Sequence, residues 1–160
     1  MLGAQLTDRP QPRPATAEPA RLALNEGLFV GPLDALGAVR LAGTRCHSCT
    51  EVSLGSSKRC PNCGGGDVEA IPLGTEGRLW SYTIIRHCPP GDYHDRDDFR
   101  PFGMGLVELP EGLRVLAPIR ADIDALEIGM PLRFEAYSRP AGDSERVLFR
   151  FVPAAQPSAS

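Results

Sequence analysis

Four of the five cysteines stand in two close pairs, and their spacing is typical of a metal site. Cys46 and Cys49 form the first pair, Cys60 and Cys63 form the second, and ten residues separate the pairs. Each Cys-x-x-Cys turn presents two thiolates to one side of a tetrahedral ion. Because four protein sulfurs fill the coordination shell, no position is left for water or substrate. The pattern predicts a structural ion held by all four residues, which we expect to be zinc although thiolates also suit iron.

The remaining reactive side chains do not form a catalytic pattern in the sequence. Cys88 follows His87, but neighbouring residues of a strand point to opposite faces, so we expect an ordinary thiol there. The acidic run from Asp92 to Asp98 lies in a proline-rich loop, where clustered charge is usually solvated. We therefore predict no catalytic residue and no enzymatic activity for the isolated chain.

Composition narrows the class of protein. A length of 160 residues suits one compact domain with a small satellite. The net charge of −3 gives no field that attracts a polyanion, which argues against a nucleic-acid partner. No apolar run reaches membrane-spanning length, the N-terminal segment lacks the order of a signal peptide, and cysteines used for metal indicate a reducing compartment. We expect a cytoplasmic protein with no membrane partner.

The second half of the chain reads as a series of short strands. Aromatic and β-branched residues fill five segments bounded by Gly, Pro or Asp: 78–86, 102–109, 113–120, 132–138 and 146–152. Pro110 to Gly112 is typical of a three-residue hairpin loop, so the second and third strands should pair antiparallel. Only a turn of helix fits between residues 121 and 130. Five strands with a break after the third predict an OB-type barrel.

The predicted fold is mostly β, with a short N-terminal helix and a tetracysteine zinc ribbon ahead of the five-stranded barrel. The helix rests on the apolar spacing of residues 21–29, with Pro19 near its first turn. The predicted boundaries are 1–20 for a disordered proline-rich segment, 21–41 for a helical lead-in, 42–72 for the zinc ribbon, 73–153 for the OB-fold domain and 154–160 for a tail.

Several motifs in a fixed order resemble one family. They lie at Leu41–Cys49, Cys60–Gly64, Gly74–Thr83, Pro101–Leu109 and Ile128–Met130. Together they resemble the zinc-ribbon plus OB-fold family of acyl-CoA-associated proteins. The resemblance implies a small non-catalytic subunit of a thiolase-like enzyme, such as a β-ketoacyl-CoA thiolase, an acyltransferase or a retro-aldolase. In such complexes the nucleophile belongs to the partner, and the accessory chain docks on it and helps to shape the coenzyme A and acyl channel.

The chain departs from the family at two places. Thr50 follows the first cysteine pair, where many members have glycine. Gly103 and Gly105 lie in a predicted strand where bulkier residues are common. These differences leave the metal prediction intact and bear on the shape of the substrate channel.

We also predict contacts to an acyl-CoA at the interface with the partner. Arginine matches phosphate geometry and stays charged, and aromatic rings can pack against adenine or pantetheine. The candidate contacts are Arg86, Arg96 and Arg100 for phosphate, and Tyr93, Phe99 and Phe102 for packing. The alternative is that these arginines pair with the loop aspartates in solvent, where ion pairs are common and weak.

Two other functions would use the four thiolates or the barrel. A rubredoxin-like electron carrier would hold iron on the four thiolates, but it would leave the barrel without a role. An OB-fold nucleic-acid binder would need a basic groove with stacking aromatic residues. Trp80, Tyr82 and Phe102 could stack, yet the region from Ile71 onward is net acidic.

Overall fold

The computed structural model describes residues 19–90 and 98–154. The predicted disordered segment lies outside these ranges except for its last two residues, and the predicted tail lies outside except for its first. The described residues form ten strands: β1 (Arg21–Ala23), β2 (Phe29–Val30), β3 (Arg40–Cys46), β4 (Val52–Leu54), β5 (Val68–Pro72), β6 (Glu76–Ile85), β7 (Phe102–Glu108), β8 (Arg114–Ile119), β9 (Pro131–Ala141) and β10 (Ser144–Pro153). No helix among the described residues is long and apolar enough to cross a membrane.

The last five strands close into a barrel, as predicted. β6 pairs with β7 and β9, β7 pairs with β8, and β9 pairs with β10, all antiparallel. A parallel contact between Ile119 of β8 and Phe151 of β10 closes the ring. The order β6–β7–β8–β10–β9 around the ring is that of a five-stranded OB barrel. Gly112, with φ of 80°, forms the predicted left-handed position of the hairpin between β7 and β8.

Alternation along the strands builds the barrel core. In β7 and β8 every second residue is buried, and Val107 and Val115 face each other inside the barrel. Phe151 is fully buried among them. A Cβ on Gly105 would lie 2.6 Å from Leu79 Cδ1, so this glycine makes room for a core leucine. Gly105, one of the two glycines at which β7 departs from the family, therefore has a packing role inside the barrel.

The predicted N-terminal helix is wrong. Arg21–Ala23 form β1, which pairs in parallel with β10, and Leu24 donates its N–H to the Val147 carbonyl at 3.0 Å. The stretch is too short to be stable as an isolated helix, and strand pairing to β10 satisfies its backbone instead. In the rest of the lead-in only Leu36–Ala38 form a single 3₁₀ turn.

The ribbon is built around β3. β4 and β5 pair antiparallel with opposite edges of β3. β2 also pairs antiparallel with β3, on the same edge as β4. Leu41 of β3 is buried in the same core as the barrel residues, and the Phe29 ring meets the Phe149 ring edge to face at 6.1 Å. The ribbon is thus packed against the barrel through the apolar side of β2 and β3.

Candidate functional site

The structure brings the four predicted metal ligands together. Cys46 ends β3, Cys49 follows in the same turn, and Cys60 and Cys63 form a second turn between β4 and β5. The four sulfurs all lie within 4.8 Å of one another, and Cys46–Cys63 and Cys49–Cys60 are each 3.6 Å apart. Four thiolates this close fit the tetrahedral sulfur site of zinc, and they leave no fourth position open for chemistry.

Backbone geometry fixes both cysteine turns. The Gly64 N–H donates to the Cys60 carbonyl and the Cys60 N–H donates to the Gly65 carbonyl, each at 2.9 Å. Gly64 takes a φ of 75°. At the equivalent place after the first pair, Thr50 has a φ of 61°, and it is the only non-glycine residue described with positive φ. This left-handed position explains why glycine is expected there.

The local environment shifts the ionisation of the sulfurs. The Glu51 N–H, followed by the Asn62 amide, lowers the pKa of Cys49 to about 6. At Cys63 the Gly65 N–H lowers the pKa, but the other three sulfurs and burial outweigh it and raise the pKa to about 11. Negative charge on one sulfur thus opposes ionisation of the next, and a bound divalent cation would relieve that repulsion.

A groove of about 630 Å³ lies on the barrel, at the start of β7, the end of β8 and the outer side of the β9–β10 hairpin. It contains three of the residues predicted to contact coenzyme A, namely Phe99, Arg100 and Phe102. The rings of Phe99 and Phe102 meet at 6.3 Å in a T-shaped arrangement. Arg86 is exposed just beyond β6 and does not line the groove, and Tyr93 and Arg96 lie outside the described residues.

Four groove arginines were missed by the sequence reasoning. They are Arg120, Arg139, Arg146 and Arg150. The last three lie on the β9–β10 hairpin, where Arg146 pairs with Arg139 and Arg150 with Glu135. For Arg146 and Arg150 the available signal was alternation along the predicted strand 146–152, which places both residues on the outer face, whereas Arg139 lies beyond the predicted end of its strand at Ser138.

Apolar residues on the outer face of β7 and β8, together with Trp80 of β6, form an apolar strip. Leu116 is 62% exposed, Trp80 is 46% exposed, and Leu106 is the cross-strand neighbour of Leu116. The Arg114 guanidinium lies 4.0 Å above the Trp80 ring. The strip ends at Phe102 and at Pro118 of β8, which also line the groove. Contiguous exposed apolar residues on a sheet face are typical of an interaction surface.

Cys88 is not set up as a nucleophile in the described structure. Its thiol donates to the carbonyl oxygen of its neighbour Pro89 at 3.6 Å, and His87 is exposed. A carbonyl oxygen does not activate a thiol, because thiolate formation needs a base or a positive charge beside the sulfur.

Comparisons with known proteins agree with the architecture. A family model described as the C-terminal OB-fold domain of ChsH2 matches residues 70–136, which confirms the OB-fold prediction. A solved structure, the Ltp2-ChsH2(DUF35) aldolase, superposes with a TM-score of 0.55 at 29% sequence identity, covering 71% of this chain and 84% of that chain.

Two curated relatives add the sequence evidence. A DUF35 domain-containing scaffold protein of Methanothermobacter thermautotrophicus is 35% identical over 91 residues, which cover 56% of this chain and 65% of that protein. The benzoylsuccinyl-CoA thiolase subunit BbsA of Thauera aromatica is 29% identical over 86 residues, which cover 49% of this chain and 51% of that subunit. The chain thus spans roughly half to two thirds of the length of these relatives.

Proposed function

We propose that this chain, a zinc-ribbon plus OB-fold protein, is a non-catalytic subunit of a thiolase-like acyl-CoA enzyme. The observation that carries the proposal is the similarity to a scaffold protein, a thiolase subunit and an aldolase complex, found in a chain with a closed tetrathiolate cluster. The partner supplies the nucleophile. The proposal covers three partner activities: a β-ketoacyl-CoA thiolase, an acyltransferase and a retro-aldolase.

The metal in this proposal is zinc, and its role is structural. Zn²⁺ bound by Cys46, Cys49, Cys60 and Cys63 would tie the end of β3 and the turn after it to the loop between β4 and β5. Such a bound ion supplies folding free energy to a ribbon whose strands are short. Because thiolate ligands require a reducing interior, the proposal includes a cytoplasmic location.

The partner docks, in this proposal, on the apolar strip around Trp80 and Leu116. A tryptophan held by Arg114 offers a large contact area at small entropic cost, because its side chain is already ordered. The strip leads into the groove at Phe102 and Pro118, so a partner seated on it would close one side of the groove. That arrangement suits an acyl-CoA bound at the interface of two subunits.

Only some of the predicted coenzyme A contacts have support in the structure's groove. Phe99, Arg100 and Phe102 share one groove, and these three are the supported contacts. Arg86 lies beyond the end of β6 and outside the groove lining, so its proposed contact depends on the partner's approach. Arg96 and Tyr93 remain predictions for a segment outside the described residues.

The proposal is tested by co-purification from the native host. A tagged full-length chain should retain a thiolase-like polypeptide, and acyl-CoA turnover should require both subunits. Cys88→Ala should leave the turnover of the assembled enzyme within a few fold, because the Cys88 thiol donates to the Pro89 carbonyl, which does not activate a thiol. Turnover by the chain alone, abolished by Cys88→Ala, or failure to retain any thiolase-like polypeptide, would overturn the proposal.

A further inference from the structure

The described residues that line the groove are rich in positive charge, whereas the protein as a whole is acidic. Five arginines line it, Asp98 is the one carboxylate among the described lining residues, and the whole chain carries a net charge of −3. Among the described residues no carboxylate forms an ion pair with Arg100, Arg120 or Arg146. Guanidinium groups gathered in a concave site create a local field that attracts anions.

The β9–β10 hairpin brings several of the groove arginines together. Arg139 and Arg146 are directly opposite each other across the two strands. Further along the same strands, Arg150 faces Glu135 and donates to its carboxylate, while its guanidinium lies 4.4 Å from the centre of the Tyr137 ring. The hairpin thus contributes three of the five groove arginines.

The position and walls of the groove fit a small ligand. It lies on the second and third barrel strands and beside the loops that join strands one to two and four to five, where OB folds commonly bind ligands. Its volume falls within the range of about 300–1,000 Å³ that is usual for small-molecule sites. Phe102, Tyr137 and Leu148 supply apolar walls beside the arginines.

We infer that this groove binds the phosphate groups of a nucleotide-bearing ligand, with Arg120 and Arg146 as the phosphate contacts and Phe102 and Tyr137 beside the base. Arginine binds phosphate oxygens with two parallel hydrogen bonds, and an aromatic face accepts a nucleobase. The inference rests on the proposed function for the identity of the ligand, which is then coenzyme A. The phosphate contacts inferred here lie at the end of β8 and on the β9–β10 hairpin, whereas the sequence predicted them in and beside the loop after β6.

The test is calorimetric titration of the full-length, metal-loaded chain with coenzyme A. Arg120→Ala and Arg146→Ala should each weaken binding by about tenfold or more, as expected for one lost charged hydrogen-bonding contact. Arg146→Lys should recover part of the loss, because the charge remains while the paired hydrogen bonds do not. Arg133→Ala is the matched control, since Arg133 is an exposed arginine of β9 that does not line the groove. Excess inorganic pyrophosphate should compete with coenzyme A.

Unchanged coenzyme A affinity in the Arg120→Ala, Arg146→Ala double variant would overturn the inference, as would tight binding of a single-stranded oligonucleotide with no binding of coenzyme A. If the complex with a thiolase-like subunit forms but its Michaelis constant for acyl-CoA is unmoved by the double variant, the groove assignment fails and the proposed function stands. If the chain binds coenzyme A through these arginines but retains no such partner, the groove assignment stands and the proposed function fails.

Discussion

Arg139 and Arg146 lie directly opposite each other in the β9–β10 hairpin, and both line the groove. A cross-strand pair of opposite charges contributes about 0.2–1 kcal/mol, whereas like charges at the same place destabilise. A carboxylate in place of Arg146 would therefore put opposite charges across the hairpin at this position. Its neighbour pair, Arg150 and Glu135, shows that the same strands accommodate a favourable ion pair.

The first prediction separates stability from binding. Arg146→Glu places opposite charges across the hairpin, so the free energy of unfolding should rise by about 0.5–1 kcal/mol while coenzyme A binding is lost. Urea denaturation and calorimetric titration of the same preparation measure the two effects. Arg146→Gln, which adds no ion pair across the hairpin, should give a smaller rise. A fall in stability for both variants would show that Arg146 is held by contacts that favour the folded state.

The second prediction concerns Thr50. A β-branched residue at a φ of 61° is strained, and the left-handed conformation costs about 1–2 kcal/mol for a residue with a Cβ. Thr50→Gly should therefore raise the stability of the metal-loaded protein by about 1 kcal/mol, less the entropy that glycine loses on folding. Thr50→Ala is the control, because it removes the exposed hydroxyl contact to the Cys49 carbonyl and keeps the Cβ. Equal effects of the two substitutions on the melting temperature would contradict the strain argument.

The sequence predicted the features that depend on local pattern. The paired cysteines, the hairpin at Gly112 and the five barrel strands follow from spacing, turn residues and alternation, and each is present. Strand lengths were less accurate. Pro140 favoured an end at Ser138, but β9 continues to Ala141 and pairs Pro140 with Glu145 in the hairpin.

Features that depend on distant pairing were missed. β1 joins β10 through residues 124 positions apart, as in the Arg21–Glu145 contact, and nothing local to the lead-in indicates that partner. The groove arginines were missed for a related reason. Arg139 meets Arg146 only because the hairpin turns at Gly142, and the strand predicted to end at Ser138 stopped short of that register.

The third prediction is the metal content. The full-length chain purified from cells should contain one zinc per molecule, because four thiolates within 4.8 Å form one closed site. Elemental analysis measures the ratio. Cys60→Ala should lose the metal and the ordered ribbon, since metal binding and folding of such a small unit are coupled. A red protein with ferric-thiolate absorption, or a fully folded Cys60→Ala variant without metal, would contradict the zinc assignment.

The fourth prediction is a pH dependence of the β1–β10 contact. The Arg21 guanidinium, 2.7 Å from the Glu145 carboxylate, and then the Ser138 hydroxyl hold the pKa of Glu145 below its ordinary value near 4.5. Because the folded pKa is lowered, the contact stabilises the protein fully above about pH 4.5 and this contribution is lost as pH falls through the lower, native pKa. Arg21→Ala should return the Glu145 titration toward the ordinary value, measured by carboxyl carbon NMR. An unchanged Glu145 titration in that variant would show that Arg21 is not the cause of the lowered pKa.

The last prediction tests the apolar strip as the docking surface of the catalytic subunit. Leu116 is 62% exposed on β8, so Leu116→Asp should change the stability of the isolated chain by no more than about 0.5 kcal/mol. In the complex the new carboxylate would be buried without a partner, and truncation or charging of a central interface residue commonly costs about 2 kcal/mol or more. The affinity for the catalytic subunit should therefore fall by at least tenfold, measured by surface plasmon resonance. Leu54→Asp is the matched control, because Leu54 is 40% exposed on β4 of the ribbon, away from the barrel strip. A Leu116→Asp chain that binds the catalytic subunit as tightly as the unmodified chain would exclude this face from the interface.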